Sequence, residues 1–271
     1  MEPADTMKET PLSRGMKALW WLVIFQASGV VITLLLFPTQ TELFFFWRIS
    51  PPINAMLLGT LYTSTVIFGG QAVVRGRWET ARYLVPMLTY SSSLLTIVTW
   101  VHIDKFIPGI KLNAWLASYI LAPIALNWFY WRNQKDGGTW EITGQEVLPA
   151  TRLLALTLGG LMLTLSLTAL LWPDLFTAAA PWPMSPLIVR AFASIWGAFS
   201  IGPLWFARER DWNRLYPIAD LLTLMPIFWL LIIAFYPHDP AITITGAWPL
   251  LTFLGIVLTS GLSLRGLQMK R

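Results

Sequence analysis

Eight apolar runs of helix length follow one another along the chain, at about 17–37, 53–74, 83–103, 112–131, 153–172, 187–207, 217–236 and 244–264. Short polar or aromatic–proline stretches separate them. At 1.5 Å rise per residue, some 20 residues cross about 30 Å of hydrocarbon. A helix satisfies its own backbone hydrogen bonds, which lipid cannot do. The pattern therefore predicts an all-α, polytopic integral membrane protein with about eight transmembrane helices. The first run is longer than a signal-peptide core and lacks a clear small-residue cleavage site, so it is expected to remain as a span.

The pattern also repeats. "FPTQTELFFFWRISPPINAMLLGTLYTSTVIFGGQAVVRGRW" (37–78) aligns with "WPDLFTAAAPWPMSPLIVRAFASIWGAFSIGPLWFARERDW" (172–212). Pro38 matches Pro173, Pro52 matches Pro186, and Trp78 matches Trp212. Further along, His102 corresponds to His238. These are the only histidines, and each ends an apolar run with an aspartate close by, Asp104 or Asp239. The spacing is too long for a solenoid. It predicts two parallel, tandem four-helix repeats, 17–132 and 151–265, related by an axis along the membrane normal. A polar tail (1–16), a Gly-rich linker (133–150) and a basic tail (266–271) complete the layout.

Composition supports a chain solvated by lipid. Of 271 residues, 55% are hydrophobic and only 12% charged, with a mean hydropathy of +0.58. A soluble domain carries about 25% charged residues. Sixteen Trp suit the headgroup boundary, where an apolar ring with one N–H donor is at home. The absence of cysteine excludes disulfides, thiolate metal sites, iron–sulfur clusters and thiol nucleophiles supplied by this chain.

The net charge of +5 invites a nucleic-acid reading, but the distribution of charge gives another. Of 19 Lys and Arg, only Arg48, Lys105, Lys111 and Arg190 fall on one side of the predicted spans; the rest flank the other side. The positive-inside rule then places both termini in the cytoplasm. No N-x-[ST] sequon occurs, which is compatible with a bacterial inner membrane.

Chemistry is sparse. No P-loop, dinucleotide-binding glycine pattern, H-E-x-x-H or G-x-S-x-G motif is present. No catalytic or metal-binding set is predicted, and the balance favours a non-enzyme. His102 and His238 are candidate cofactor ligands, for haem or a metal, because neutral imidazole binds both. The plainer expectation is that each caps its helix and bonds to its neighbouring aspartate. One histidine per half, with H-x-D in one and H-D in the other, makes a thin ligand set. A hydroxyl-rich stretch in the third run supplies a candidate pocket: Tyr90, Ser91, Ser92 and Ser93, with Tyr62 and Tyr119 from neighbouring runs. The matching stretch of the seventh run, "LLTLMPIFWLL", is far more apolar, so any pocket is expected to be asymmetric and to favour the first half. Asp220 is expected to pair with Arg214 or Arg210, and Arg190 to snorkel to the surface.

Three function classes follow. A small-solute facilitator or permease requires an internal cavity. An accessory subunit of a membrane complex requires apolar contact surfaces, for which the loops "ELFFFWRISPP" and "DLFTAAAPWPMSP" are candidates to meet a membrane-protein partner. A redox or sensory protein, with one cofactor shared by the two histidines or one held by each, requires His102 and His238 to face each other or a shared cleft. The bilayer is the one partner common to all three.

Overall fold

The computed structural model describes residues 10–136, 138–236 and 246–269. Within them, eight helices are long and apolar enough to cross a membrane, so the chain is an all-α integral membrane protein. They are α1 (Arg14–Leu36), α2 (Pro52–Arg75), α3 (Leu84–Val101), α4 (Ile110–Lys135), α5 (Pro149–Leu171), α6 (Pro186–Leu204), α7 (Trp212–Phe235) and α8 (Trp248–Gln268).

Local chemistry sets their ends. Ser13, Ser185 and Asp211 cap α1, α6 and α7, each accepting a hydrogen bond from a first-turn backbone N–H. Proline opens α2 and α5, where its missing N–H costs nothing. Gly76 closes α2 in the left-handed conformation, φ 64°. Pro86 has no N–H for the carbonyl of Arg82, and there the helical turn Trp78–Ala81 separates from α3.

The helices divide by burial. α6 is buried along most of its length and α2 along about half, whereas α1, α4 and α8 mainly face outward. The contacts are ordered: α1 on α2, α3 on α4, α5 on α6 and α7 on α8. Across the middle, α2 packs on α7 and α3 on α6. The seams α1/α4 and α5/α8 close the ring, the first more loosely than the second. Lipid tails are as apolar as the helices, so burial does not drive this assembly as it does in water; close packing and polar contacts do. Gly197 shows the closeness: a Cβ there would lie 2.2 Å from Ser166 Oγ and 2.7 Å from Tyr90 Cε1.

Tryptophan serves two purposes. Trp100, Trp131, Trp172 and Trp248 are exposed near helix ends, as the headgroup boundary favours. Trp20, Trp47, Trp78, Trp115, Trp182, Trp196, Trp212 and Trp229 are buried, so half of the sixteen are core residues and not the boundary belt expected from composition.

One face of the bundle carries the N-terminal segment, the 76–83 turn, the 138–148 connection and the end of α8; we call it the terminal face. An ion network is buried there. Arg82 pairs with Glu209, both essentially without solvent exposure. Glu209 also lies 3.6 Å from Arg214, and Arg214 lies 3.7 Å from Asp211. Asp211 accepts the backbone N–H groups of Thr143 (2.8 Å), Gly144 (2.9 Å) and Asn213 (2.9 Å). Arg82 donates to the carbonyl of Thr139 (2.7 Å) and stacks on Trp140, 3.5 Å from the ring centroid. Residues 138–148, which lead into α5, are thereby fastened down as a strap. Asp220 pairs with Arg265 of α8, not with Arg214 or Arg210 as the sequence suggested, because those two arginines are held by Glu209, Asp211 and Glu146.

Removing one member of a buried pair strands its partner's charge, at about 3–5 kcal/mol. Glu209→Gln is expected to lower thermal stability in detergent by that order. Tyr216→Phe, which removes a neutral hydroxyl from Arg75, is expected to cost only about 1 kcal/mol. Thermal unfolding followed by tryptophan fluorescence checks both.

Candidate functional site

A cavity of about 410 Å³ opens among α1, α2, α3 and α4. It exists because α2 leans on α7 and α3 on α6, which leaves the space between α2 and α3 to be closed by α1 and α4 alone. Its polar lining is uncharged: Gln26 and Thr33 from α1, Tyr62 and Thr65 from α2, Ser91 and Ser92 from α3, Ser118 and Tyr119 from α4. The remaining wall is apolar, including Val23, Val30, Leu61, Leu95, Trp115 and Leu126. The volume falls within the range of small-molecule sites, about 300–1,000 Å³.

Several hydroxyls are already partnered. The Tyr62 and Tyr119 hydroxyls bond to each other across the cavity. Ser91 Oγ donates to the carbonyl of Leu88 (3.2 Å). Trp115 stacks on Tyr119, centroids 4.1 Å apart, and its Nε1 donates to Thr99 Oγ1 (2.8 Å). These contacts fix the two tyrosine rings and Trp115 in the cavity wall.

The face opposite the terminal face carries the apolar loop 41–47. Phe45 and Trp47 turn into the core against Trp115 and Phe106. The Ile107 N–H donates to the carbonyl of Phe46 (2.9 Å), fixing the loop over the bundle. Phe44, Phe45 and Phe46 roof the cavity. Toward the terminal face the cavity is bounded by Thr65, Leu88, Ser91 and Ile195. A second space of about 40 Å³ shares those four residues and continues past Trp20, Ser64, Phe68, Gly69 and Met87.

Of the residues singled out from sequence, Tyr62, Ser91, Ser92 and Tyr119 come together around the cavity. Tyr90 and Ser93 do not line it. Tyr90 points across α3 to α6, its hydroxyl 3.5 Å from Ser166 Oγ. Successive residues of a helix are turned by about 100°, so a run of four cannot share one wall. Gln26 and Ser118 were not singled out; a lone amide in the middle of an apolar span was the available signal.

The histidines stand elsewhere. His102 is the C-cap of α3, and its Nε2 accepts a hydrogen bond from Arg190 Nη1 of α6 (2.8 Å). Arg190 Nε also donates to the carbonyl of Leu170 (2.9 Å). Asp104, the partner expected for His102, pairs with Lys105 instead (2.7 Å). His238 and Asp239 lie outside the described residues. Among the described residues, no three acidic or histidine side chains cluster as a metal site would need. The ring nitrogen that a metal would take faces a guanidinium.

Burial of the ring holds the His102 pKa below its ordinary value near 6.5, and the Arg190 charge acts in the same direction, against Asp104. The folded state therefore binds the proton less readily than the unfolded chain. Stability is full above pH 6.5 and falls as pH drops through the lowered folded value. Unfolding midpoints measured from pH 7.5 to 5 are expected to show this loss, and His102→Gln to flatten it.

The chain matches no protein-family model, no curated protein and no solved structure.

Proposed function

We propose that the protein binds a small uncharged molecule in the cavity of its first four helices, as a facilitator or permease for such a solute. The observation that carries the reading is the cavity itself: walled by four helices, partly open to the surface beside Gln26, roofed by an apolar loop, without a charged side chain in its lining, and continued toward the terminal face by a smaller space behind Leu88 and Ile195. Those two residues and the Thr65–Ser91 pair are where a passage would open. An internal cavity is a requirement of a facilitator and not of an accessory subunit. The apolar loop residues Phe45, Trp47 and Trp182 are spent on internal packing, which leaves less surface for a membrane-protein partner. The guanidinium at His102 disfavours the haem or metal reading.

The architecture behind this reading is two parallel four-helix repeats, 17–132 and 151–265, joined by 133–150. Equivalent contacts recur at a shift of 134 or 135 residues. A short antiparallel bridge joins Pro11 to Arg77, and another joins Glu146 to Asp211. The amide side chain of Asn133 accepts the N–H of Ser13 (3.0 Å), and that of Gln268 accepts the N–H of Leu148 (3.1 Å). Arg75 bonds to Tyr216, and Glu209 to Arg82. The same register explains why one cavity is open and its counterpart is closed. Tyr62 corresponds to Trp196, Leu95 to Trp229 and Ser118 to Phe253. Trp196 packs edge-on against Trp229 (5.3 Å) and Phe253 (5.2 Å), filling the second space. In this reading the terminal face is cytoplasmic, since it carries most of the Lys and Arg, and a bacterial inner membrane fits.

The test is native mass spectrometry of protein released from mild detergent. A discrete small-molecule mass is expected on the wild type and absent from Leu95→Trp, which copies the second half's filler. Retention of the same mass by Leu95→Trp, or no bound mass on the wild type, contradicts the reading.

A further inference from the structure

The cavity reaches the lipid-facing surface at one polar point. Gln26, midway along α1, is exposed on the outside of the bundle and also lines the cavity. An amide facing hydrocarbon is costly unless it is bonded. Gln26 Nε2 donates to Ser118 Oγ across the seam with α4 (3.0 Å). Ser118 lines the cavity too. Around this pair the seam is thin. Gly29 has no heavy atom within 4 Å of where a Cβ would stand, and Ala114 and Ala122 face the cavity from α4. The opposite seam, α5/α8, is packed more closely.

We propose that the α1/α4 seam is a lateral portal latched by the Gln26–Ser118 hydrogen bond, and that the ligand is an uncharged amphiphile arriving through the bilayer. The inference rests on reading the cavity as a ligand site. The roof of Phe44, Phe45 and Phe46 stands between the cavity and the water at that face, whereas beside the cavity the seam is bridged by the neutral Gln26–Ser118 bond, the Ser13–Asn133 bond and the Gly15–Phe129 packing joining α1 to α4 only near the terminal face. The lining selects the class. A charged molecule would meet no counter-ion among these side chains. A polyhydroxylated solute would leave hydroxyls unpaired against Val23, Val30, Leu61 and Leu95. A molecule with an apolar body and one hydroxyl or carbonyl end fits both parts of the wall. Its polar end would bond at Tyr62, Ser91 and Ser92, and its body would lie toward the seam.

The chain has no cysteine, so Gln26→Cys with Ser118→Cys supplies the only thiols. The full chain carrying both is placed in lipid nanodiscs with hexadecanol bearing a diazirine beside the hydroxyl. A short bis-methanethiosulfonate bridges the two thiols. Irradiation is expected to label peptides containing Tyr62 or Ser91–Ser92 in the unlinked protein, linking to abolish that labelling, and reductant to restore it. Equal labelling of linked and unlinked protein overturns the portal. Equal labelling by the matching hexadecyl sulfate probe overturns the uncharged class. If neither probe labels the wall while the native mass is still lost in Leu95→Trp, this inference fails and the ligand site stands. If no mass is found either, both fail.

Discussion

Hydrocarbon neither solvates a polar side chain nor pushes two apolar helices together. A polar group at membrane depth is therefore costly unless it finds a partner within the protein, and the helices must be held by contacts more specific than burial. Most serines and threonines of α2 and α3 bond back to their own helix carbonyls, as Thr60 does to Leu57 (2.7 Å) and Thr96 to Ser92 (2.9 Å). Asn127 reaches from α4 to Thr89 of α3 (2.9 Å). The tyrosines of the cavity bond to each other. At the terminal face, where charge is tolerable, Arg82, Glu209, Arg214 and Asp211 tie the 138–148 strap to the ends of α3, α6 and α7.

That constraint also shapes the cavity. With α2 committed to α7 and α3 to α6, four outer helices must close two gaps. In the second half, large rings close the gap: Trp196, Trp229, Phe253 and Phe199 meet edge to face, an arrangement favoured by the aromatic quadrupole. In the first half, hydroxyls and small side chains occupy the facing positions, and the space stays open. A cavity bounded by partnered hydroxyls and apolar walls costs lost dispersion contacts, and a ligand recovers them.

Much of the architecture was legible in the chain. Eight apolar runs became eight helices because a 3.6-residue backbone spiral is the cheapest structure in lipid, and the runs were long enough to need no other cue. The hydroxyl-rich third run lends Ser91 and Ser92 to the cavity wall, whereas the matching stretch of the seventh run is apolar. What the chain did not disclose were side-chain partners across helices. His102 finds Arg190, 88 residues away, rather than Asp104 two residues on. Asp220 finds Arg265, one helix further than its near neighbours. Tyr90 and Ser93 sat within the right run but on other faces of the helix. Half of the tryptophans went to the core, Trp47 and Trp115 into the aromatic cluster under the 41–47 loop and Trp196 and Trp229 into the packing of the second half, partners that composition does not reveal. Gln26 was passed over, because its role depends on Ser118 of α4 lying across from it, 92 residues away in sequence.

The central claim is that the first half holds a ligand and the second is packed shut. A crystal structure grown from a lipidic mesophase tests it most directly. The account predicts elongated density running from Tyr62 and Tyr119 to the Gln26–Ser118 seam, with Trp196, Trp229 and Phe253 in contact in the other half. A collapsed first cavity, or one filled only by a chain of ordered waters, would contradict it.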